Sequence, residues 1–177
     1  MEKFVIEGGH RISGSVSISG AKNSALPILA ATLLSDEPSV IKNVPNLRDI
    51  TTMIKILRTF GLRVLNGDGT IRVEPRGYNQ CIAPYKLVST MRASICVLGP
   101  LLAKKGFAQV SLPGGCVIGP RPIDLHLKGI RALGATIRIE KGYIVADGGK
   151  LHGGTVYLGG HFGSSVLATA NTMMAAT

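Results

Sequence analysis

The segment Leu57-Arg58-Thr59-Phe60-Gly61-Leu62-Arg63-Val64 returns as Ile130-Arg131-Ala132-Leu133-Gly134-Ala135-Thr136-Ile137, 73 residues later, and Gly69-Thr70-Ile71 returns as Gly142-Tyr143-Ile144 at the same spacing. A repeat of that length is one supersecondary unit, too small to bury its apolar face alone, so successive copies must pack on one another. Each copy reads as an amphipathic helix ended by a glycine, then a strand, a glycine-containing turn and a second strand. The first of these helices takes Asp49 as its N-cap, sets Ile50, Met53, Ile54, Leu57 and Phe60 on one face, and stops at Gly61. Upstream lie a more apolar helix over residues 24–34, a turn at Asp36-Glu37-Pro38 and a strand over 39–42. Their counterparts are a helix over 88–105 and a strand over 107–112.

Ala30-Ala31-Thr32 recurs as Ala175-Ala176-Thr177, close to twice the repeat length away, so a third copy begins near the end. The unit reads as βαβαββ, with boundaries at about 21–88 and 89–157 and a third unit started over 158–177. An apolar Met173-Met174-Ala175-Ala176 helix with its partners still to come is an unusual place for a domain to stop, which leads us to expect a truncated or cleaved chain.

Composition excludes several classes. With 177 residues and 45% hydrophobic content the chain is long enough for a buried core. Its start has no basic region followed by an apolar one, and its longest apolar run is far too short to span a bilayer, so a cytoplasmic protein with no membrane partner is expected. Cys81, Cys96 and Cys116 are an odd number at long spacings and fit neither a disulfide framework nor a zinc site; His10, His126, His152 and His161 are scattered, and no metal is implied. A net charge of +10 favours anionic partners. Nucleic acid is not expected among them, because there is no Trp, few Phe and Tyr, and no dense basic run; a small anion fits the charge equally well.

The densest candidate site is Pro113-Gly114-Gly115-Cys116-Val117-Ile118-Gly119-Pro120-Arg121-Pro122-Ile123-Asp124. Its glycines permit close backbone approach to a ligand, Arg121 offers a planar fork of donors for phosphate or carboxylate, and a thiol beside a guanidinium near a helix start should be acidified into a usable acid or nucleophile. A glycine-rich turn with an incidental cysteine explains the same residues equally well. A second candidate is Ser19-Gly20-Ala21-Lys22-Asn23-Ser24, where a loop enters a helix whose free N–H groups suit an anion; the plainer account makes Asn23 or Ser24 an N-cap and Lys22 a solvated charge. Arg92 is a lone charge in an otherwise apolar helix, either waiting for an anion at a cleft mouth or snorkelling to the surface. Cys96 reads as core packing and Cys81 as part of a linker.

Taken together, Gly20-Ala21-Lys22-Asn23, Met91-Arg92-Ala93-Ser94 and the run from Leu112 through Cys116 and Arg121 to Leu125-His126 resemble the UDP-N-acetylglucosamine 1-carboxyvinyltransferase family, along nearly the whole chain. The resemblance implies an α/β fold, an inside-out α/β barrel of three similar units. It also implies a second domain to which residues 1–20 contribute strands, leaving 21–177 as an incomplete first domain. It further implies transfer of the enolpyruvyl group of phosphoenolpyruvate to the 3-hydroxyl of UDP-N-acetylglucosamine with release of phosphate, the committed step of peptidoglycan synthesis, without a cofactor. Lys22, Arg92 and Arg121 would clamp phosphoenolpyruvate, and Cys116 would act as general acid, the group that fosfomycin alkylates in this family. Asn23, Pro122, Ile123, Asp124, Leu125 and His126 would line the sugar nucleotide, Asp124 serving equally as a helix N-cap. Ser165 and Val166 are carried over more loosely, because Gly160-His161-Phe162-Gly163-Ser164 departs from the family's Lys-containing pattern. The carboxylate that serves the family as base lies in its second half, so residues 1–177 alone are expected not to turn over. The related shikimate-3-phosphate enolpyruvyl transferases lack the Pro-Gly-Gly-Cys loop, and their N-terminal Lys-Ser and Asn-Ala-Gly-Thr motifs are missing here.

Overall fold

The computed structural model describes residues 3–113, 123–161 and 163–177. The first unit consists of α1 (Lys22–Ala31) running into a 3-10 turn (Thr32–Leu34), then β1 (Ser39–Ile41), α2 (Arg48–Thr59), β2 (Arg63–Gly67) and β3 (Thr70–Glu74). The second opens with β4 (Ile82–Ala83), a single helical turn α3 (Tyr85–Val88) and a 3-10 segment (Arg92–Val97). It continues with α4 (Leu98–Lys105), β5 (Phe107–Ser111), α5 (Asp124–Ala132), β6 (Thr136–Glu140) and β7 (Tyr143–Asp147). A short hairpin, β8 (Gly159–Gly160) and β9 (Gly163–Ser164), leads into α6 (Val166–Ala175).

The repeat holds down to individual hydrogen bonds. The order β1-β3-β2 in the first sheet matches β5-β7-β6 in the second, antiparallel throughout, with β4 added parallel to β5. Gly61 and Gly134 end their helices at φ 95° and 94°, a conformation open to glycine at little cost, and a Cβ on Gly61 would stand 2.0 Å from the Gly77 carbonyl. Asp68-Gly69 and Lys141-Gly142 both take positive φ, as a two-residue turn matched to the twist of a hairpin requires. Asn79 donates its N–H to the Phe60 carbonyl at 3.1 Å, and His152 donates to Leu133 at 2.9 Å, again 73 residues on.

The helices lie inside and the sheets outside. α6 packs against both α4 and α1, and α1 meets the 3-10 segment that leads into α4; the largely apolar composition of these three helices, one from each unit, follows from that packing. α2 and α5 are two-faced because each covers its sheet and meets solvent; Met53, Ile56, Leu57 and Ile130 are fully buried. One face of each sheet closes the same continuous core through Val64, Ile71, Val73, Val110, Ile144 and Ala146. On β3, Glu74 is nearly buried among Arg63, Arg72 and Arg76, and the hydrogen bond from Arg72 is the chief reason its carboxyl titrates below the usual range.

Several local expectations are corrected. The helix expected over 88–105 is broken into α3, the 3-10 segment and α4. Pro100 has no N–H to donate and costs least in the first turn of a helix, where it stands in α4, which begins at Leu98. α1 starts at Lys22, so Lys22 and Asn23 are in its first turn and neither Asn23 nor Ser24 is the cap. Asp49 is not the N-cap of α2, since Leu47 holds that position, and Asp124 is the first residue of α5, after Ile123, with no side-chain cap bond. Residues 3–20 carry no regular secondary structure, and Phe4, Ile6, Ile12, Val16 and Ile18 are exposed. Among the described residues no helix is long and apolar enough to cross a membrane.

Candidate functional site

Three helices begin on one cleft of about 910 Å³. The first turn of α1 brings Lys22 and Asn23, the first turn of α5 brings Asp124, Leu125 and His126, and the start of α6 brings Ser165, Val166 and Leu167. The convergence follows in part from the repeat: α1 and α6 are the same element in the first and third units and both start on the cleft. The unpaired N–H groups of three first turns, with the positive ends of three helix dipoles, give the cleft a standing preference for negative charge. Lys22 and Arg92 add two full charges of the same sign.

Lys22 does not stand alone. Its Nζ lies 2.9 Å from Oδ2 of Asp49, which reaches over from the first turn of α2, and both side chains are partly exposed. A pair of this kind contributes about 0–1 kcal/mol to stability. Its larger consequence is to fix where the ammonium sits. Arg92 opens the 3-10 segment, whose shape is held by Ser94: the buried hydroxyl bonds back to the carbonyls of Met91 and, at 3.2 Å, Val88. Lone in sequence, Arg92 is at the cleft wall with Thr90, Met91 and Ala93 around it.

His126 is 4% exposed and its ring meets Asn171 of α6, Nδ2 to Nδ1, at 3.1 Å. Burial, with the positive charge of Arg92 and against the weaker opposing pull of Asp124, holds its pKa down at about 4, so the imidazole is neutral at physiological pH. Ser165 caps α6, its hydroxyl accepting from the Ala168 N–H at 3.2 Å, so it has a structural duty as well as a place on the cleft. Ile123 packs partly buried against the core just before α5 and is not part of the lining. Cys116, Arg121 and Pro122 lie outside the described residues; Ile123 and Asp124, which follow them, reach the base of α5 beside the cleft.

Asp49, His161 and Asn171 also belong to this region, although none of the motifs above points to them. In sequence Asp49 reads as a cap, because its contact with Lys22 is made 27 positions away in the chain. Asn171 does carry a signal in sequence: it is a carboxamide in the middle of a largely apolar, uncharged helix, where burial requires a partner. Cys96 is wholly buried, with burial pushing its thiol up to about 12, and is unsuited to chemistry, as core packing requires. Among the described residues no three His, Cys, Asp or Glu side chains are grouped to hold a metal ion.

Residues 6–177 match the family model for EPSP synthase (3-phosphoshikimate 1-carboxyvinyltransferase). A UDP-N-acetylglucosamine 1-carboxyvinyltransferase of Methylacidiphilum infernorum is 57% identical over 176 residues, covering 99% of this chain and 42% of the relative. Among solved structures, the enolpyruvyl transferase NikO from Streptomyces tendae superposes with a TM-score of 0.69 at 26% identity, over 82% of this chain and 32% of its own. An EPSP synthase from Acinetobacter baumannii gives a TM-score of 0.65 at 16% identity, over 92% of this chain and 37% of its own, a likeness of fold. The chain thus spans well under half the length of each of these relatives.

Proposed function

We propose, from the premise that this chain belongs to the EPSP synthase family of enolpyruvyl transferases, that it is part of an enzyme moving the enolpyruvyl group of phosphoenolpyruvate onto the 3-hydroxyl of UDP-N-acetylglucosamine. The observation that carries the reading is the cleft on which three helix N-termini, Lys22 and Arg92 converge. Both substrates are phosphorylated, and such a cleft suits oxygen-rich anions. The 57% identity to a relative named for this acceptor favours it over shikimate 3-phosphate.

In this reading the sugar 3-hydroxyl, passing its proton to a base, adds to C2 of the enol phosphate while an acid delivers a proton to C3, giving a tetrahedral intermediate; loss of a C3 proton and of phosphate then restores the double bond, now as an enol ether. Charge develops on the departing phosphate, and Lys22, Arg92 and Arg121 are assigned to it and to the carboxylate, held where that charge forms. Asp49 keeps the Lys22 ammonium oriented between turnovers. Cys116 is assigned the acid that delivers the proton. Asn23, Pro122, Asp124, Leu125, His126, Ser165 and Val166 are assigned to the sugar nucleotide. Residues 1–20 are assigned to a second domain, residues 21–177 to the first. The reading also gives the protein a cytoplasmic place in peptidoglycan synthesis, and so in cell division, with small-molecule partners rather than nucleic acid and with fosfomycin as an expected inhibitor.

The test is phosphate release by the complete gene product. Release from phosphoenolpyruvate should depend on UDP-N-acetylglucosamine, and Cys116→Ala or Lys22→Gln should each lower the rate by roughly 10²-fold or more. Release driven by shikimate 3-phosphate and not by the sugar nucleotide would assign the chain to the other acceptor.

A further inference from the structure

An imidazole facing a carboxamide can be read in two ways. Neutral histidine donates from one ring nitrogen and accepts at the other, and the oxygen and nitrogen of an asparagine exchange places by a simple flip. At His126 the backbone on the far side of Asn171 removes the ambiguity. The Gly99 N–H, which can only donate, stands 2.7 Å from Asn171 Oδ1, and the Ile95 carbonyl, which can only accept, stands 3.1 Å from Nδ2. A flipped amide would set N–H against N–H and oxygen against oxygen in a fully buried place. Nδ2 therefore faces both Ile95 and His126, its second hydrogen goes to the ring 3.1 Å away, and His126 Nδ1 must be the bare, accepting nitrogen. The proton of the neutral ring is then on Nε2.

We infer, building on the function proposed above, that Asn171 is a positioning residue that locks His126 as the Nε2–H tautomer, so that His126 serves the cleft as a fixed, uncharged hydrogen-bond donor to an oxygen of the bound sugar nucleotide. In a cleft already supplied with charge by Lys22 and Arg92, such a donor adds direction without adding another charge: it selects an acceptor oxygen at one place. The lock also ties the site to the packing of the repeats. Asn171 is on α6 of the third unit, while its partners Ile95, Gly99 and His126 all belong to the second. The approach of α6 depends on Gly99, where a Cβ would stand 2.1 Å from the Asn171 carbonyl oxygen. The orientation of His126 thus reports the register of two core helices.

Nitrogen-15 spectra of histidine-labelled complete gene product read the tautomer directly. At neutral pH His126 should show a protonated Nε2 and a bare Nδ1, and the Nε2 signal should move on saturation with UDP-N-acetylglucosamine. Asn171→Asp replaces the donor with a carboxylate and should draw a proton onto Nδ1, weakening UDP-N-acetylglucosamine binding about tenfold. A wild-type Nδ1–H ring or a mixture of tautomers overturns the lock, with no need for the variant to fold. An Nε2 signal indifferent to saturating sugar nucleotide, or a switched tautomer with unchanged affinity, overturns the donor role. Failure of the wild type to bind UDP-N-acetylglucosamine at all would sink the proposed function, while the tautomer would still decide the lock.

Discussion

His126 shows how much a single residue's chemistry depends on where it is put. Its pKa in the folded chain is about 4, below the ordinary 6.5, because burial and Arg92 disfavour the charged ring. The unfolded chain therefore takes up the proton first. Stability that is intact above pH 6.5 falls as the pH drops toward 4, by roughly 3 kcal/mol across that window from this group alone. Urea unfolding of the wild type and of His126→Gln between pH 7 and 4 checks this; the wild type should lose stability faster, and parallel curves would contradict the assignment. Lys22 is legible in sequence as a cation at a helix start, yet its partner Asp49 is not, because a 2.9 Å contact between two helices leaves no trace in local pattern. Cys96 is the opposite case: an apolar neighbourhood in sequence predicts a packed thiol, and it is wholly buried.

Whole elements were more legible than their ends. The glycine stops at Gly61 and Gly134, the hairpins at Gly69 and Gly142 and the apolar face of α2 are all local properties, governed by φ and by side-chain period, and they read directly from the chain. Helix starts were misplaced by one or two residues at α1, α2 and α5, because N-terminal side chains that could have capped them turn toward the cleft or another helix instead. The contact between α4 and α6 gives the sharpest prediction at this scale. Gly99→Ala puts a methyl group 2.1 Å from a backbone oxygen that cannot yield without shifting a helix, and should cost about 2–3 kcal/mol. Thermal unfolding measures it; a melting temperature unchanged by the substitution would mean that α4 and α6 are not so closely apposed.

At the scale of the molecule, a unit of 73 residues places the equivalent helices α1, α4 and α6 in the core, and the first turns of α1 and α6 meet that of α5 around one cleft. A cleft made this way suits anions through its helix starts, Lys22 and Arg92, whereas the relatives of this chain are more than twice its length. We therefore expect residues 1–177 alone to release no phosphate from phosphoenolpyruvate in the presence of UDP-N-acetylglucosamine; a rate comparable to that of the complete gene product would refute this. The sequence by itself determined the repeat, the order of elements within it and the residue types that suit an anion, because those depend on spacing along the chain and on backbone freedom at single positions. Only the tertiary structure decided that Lys22 meets Asp49, that α1, α5 and α6 open onto the same cleft, and that Asn171 dictates which nitrogen of His126 holds the proton. Each of those is a relation between groups far apart in sequence, set by how the units pack.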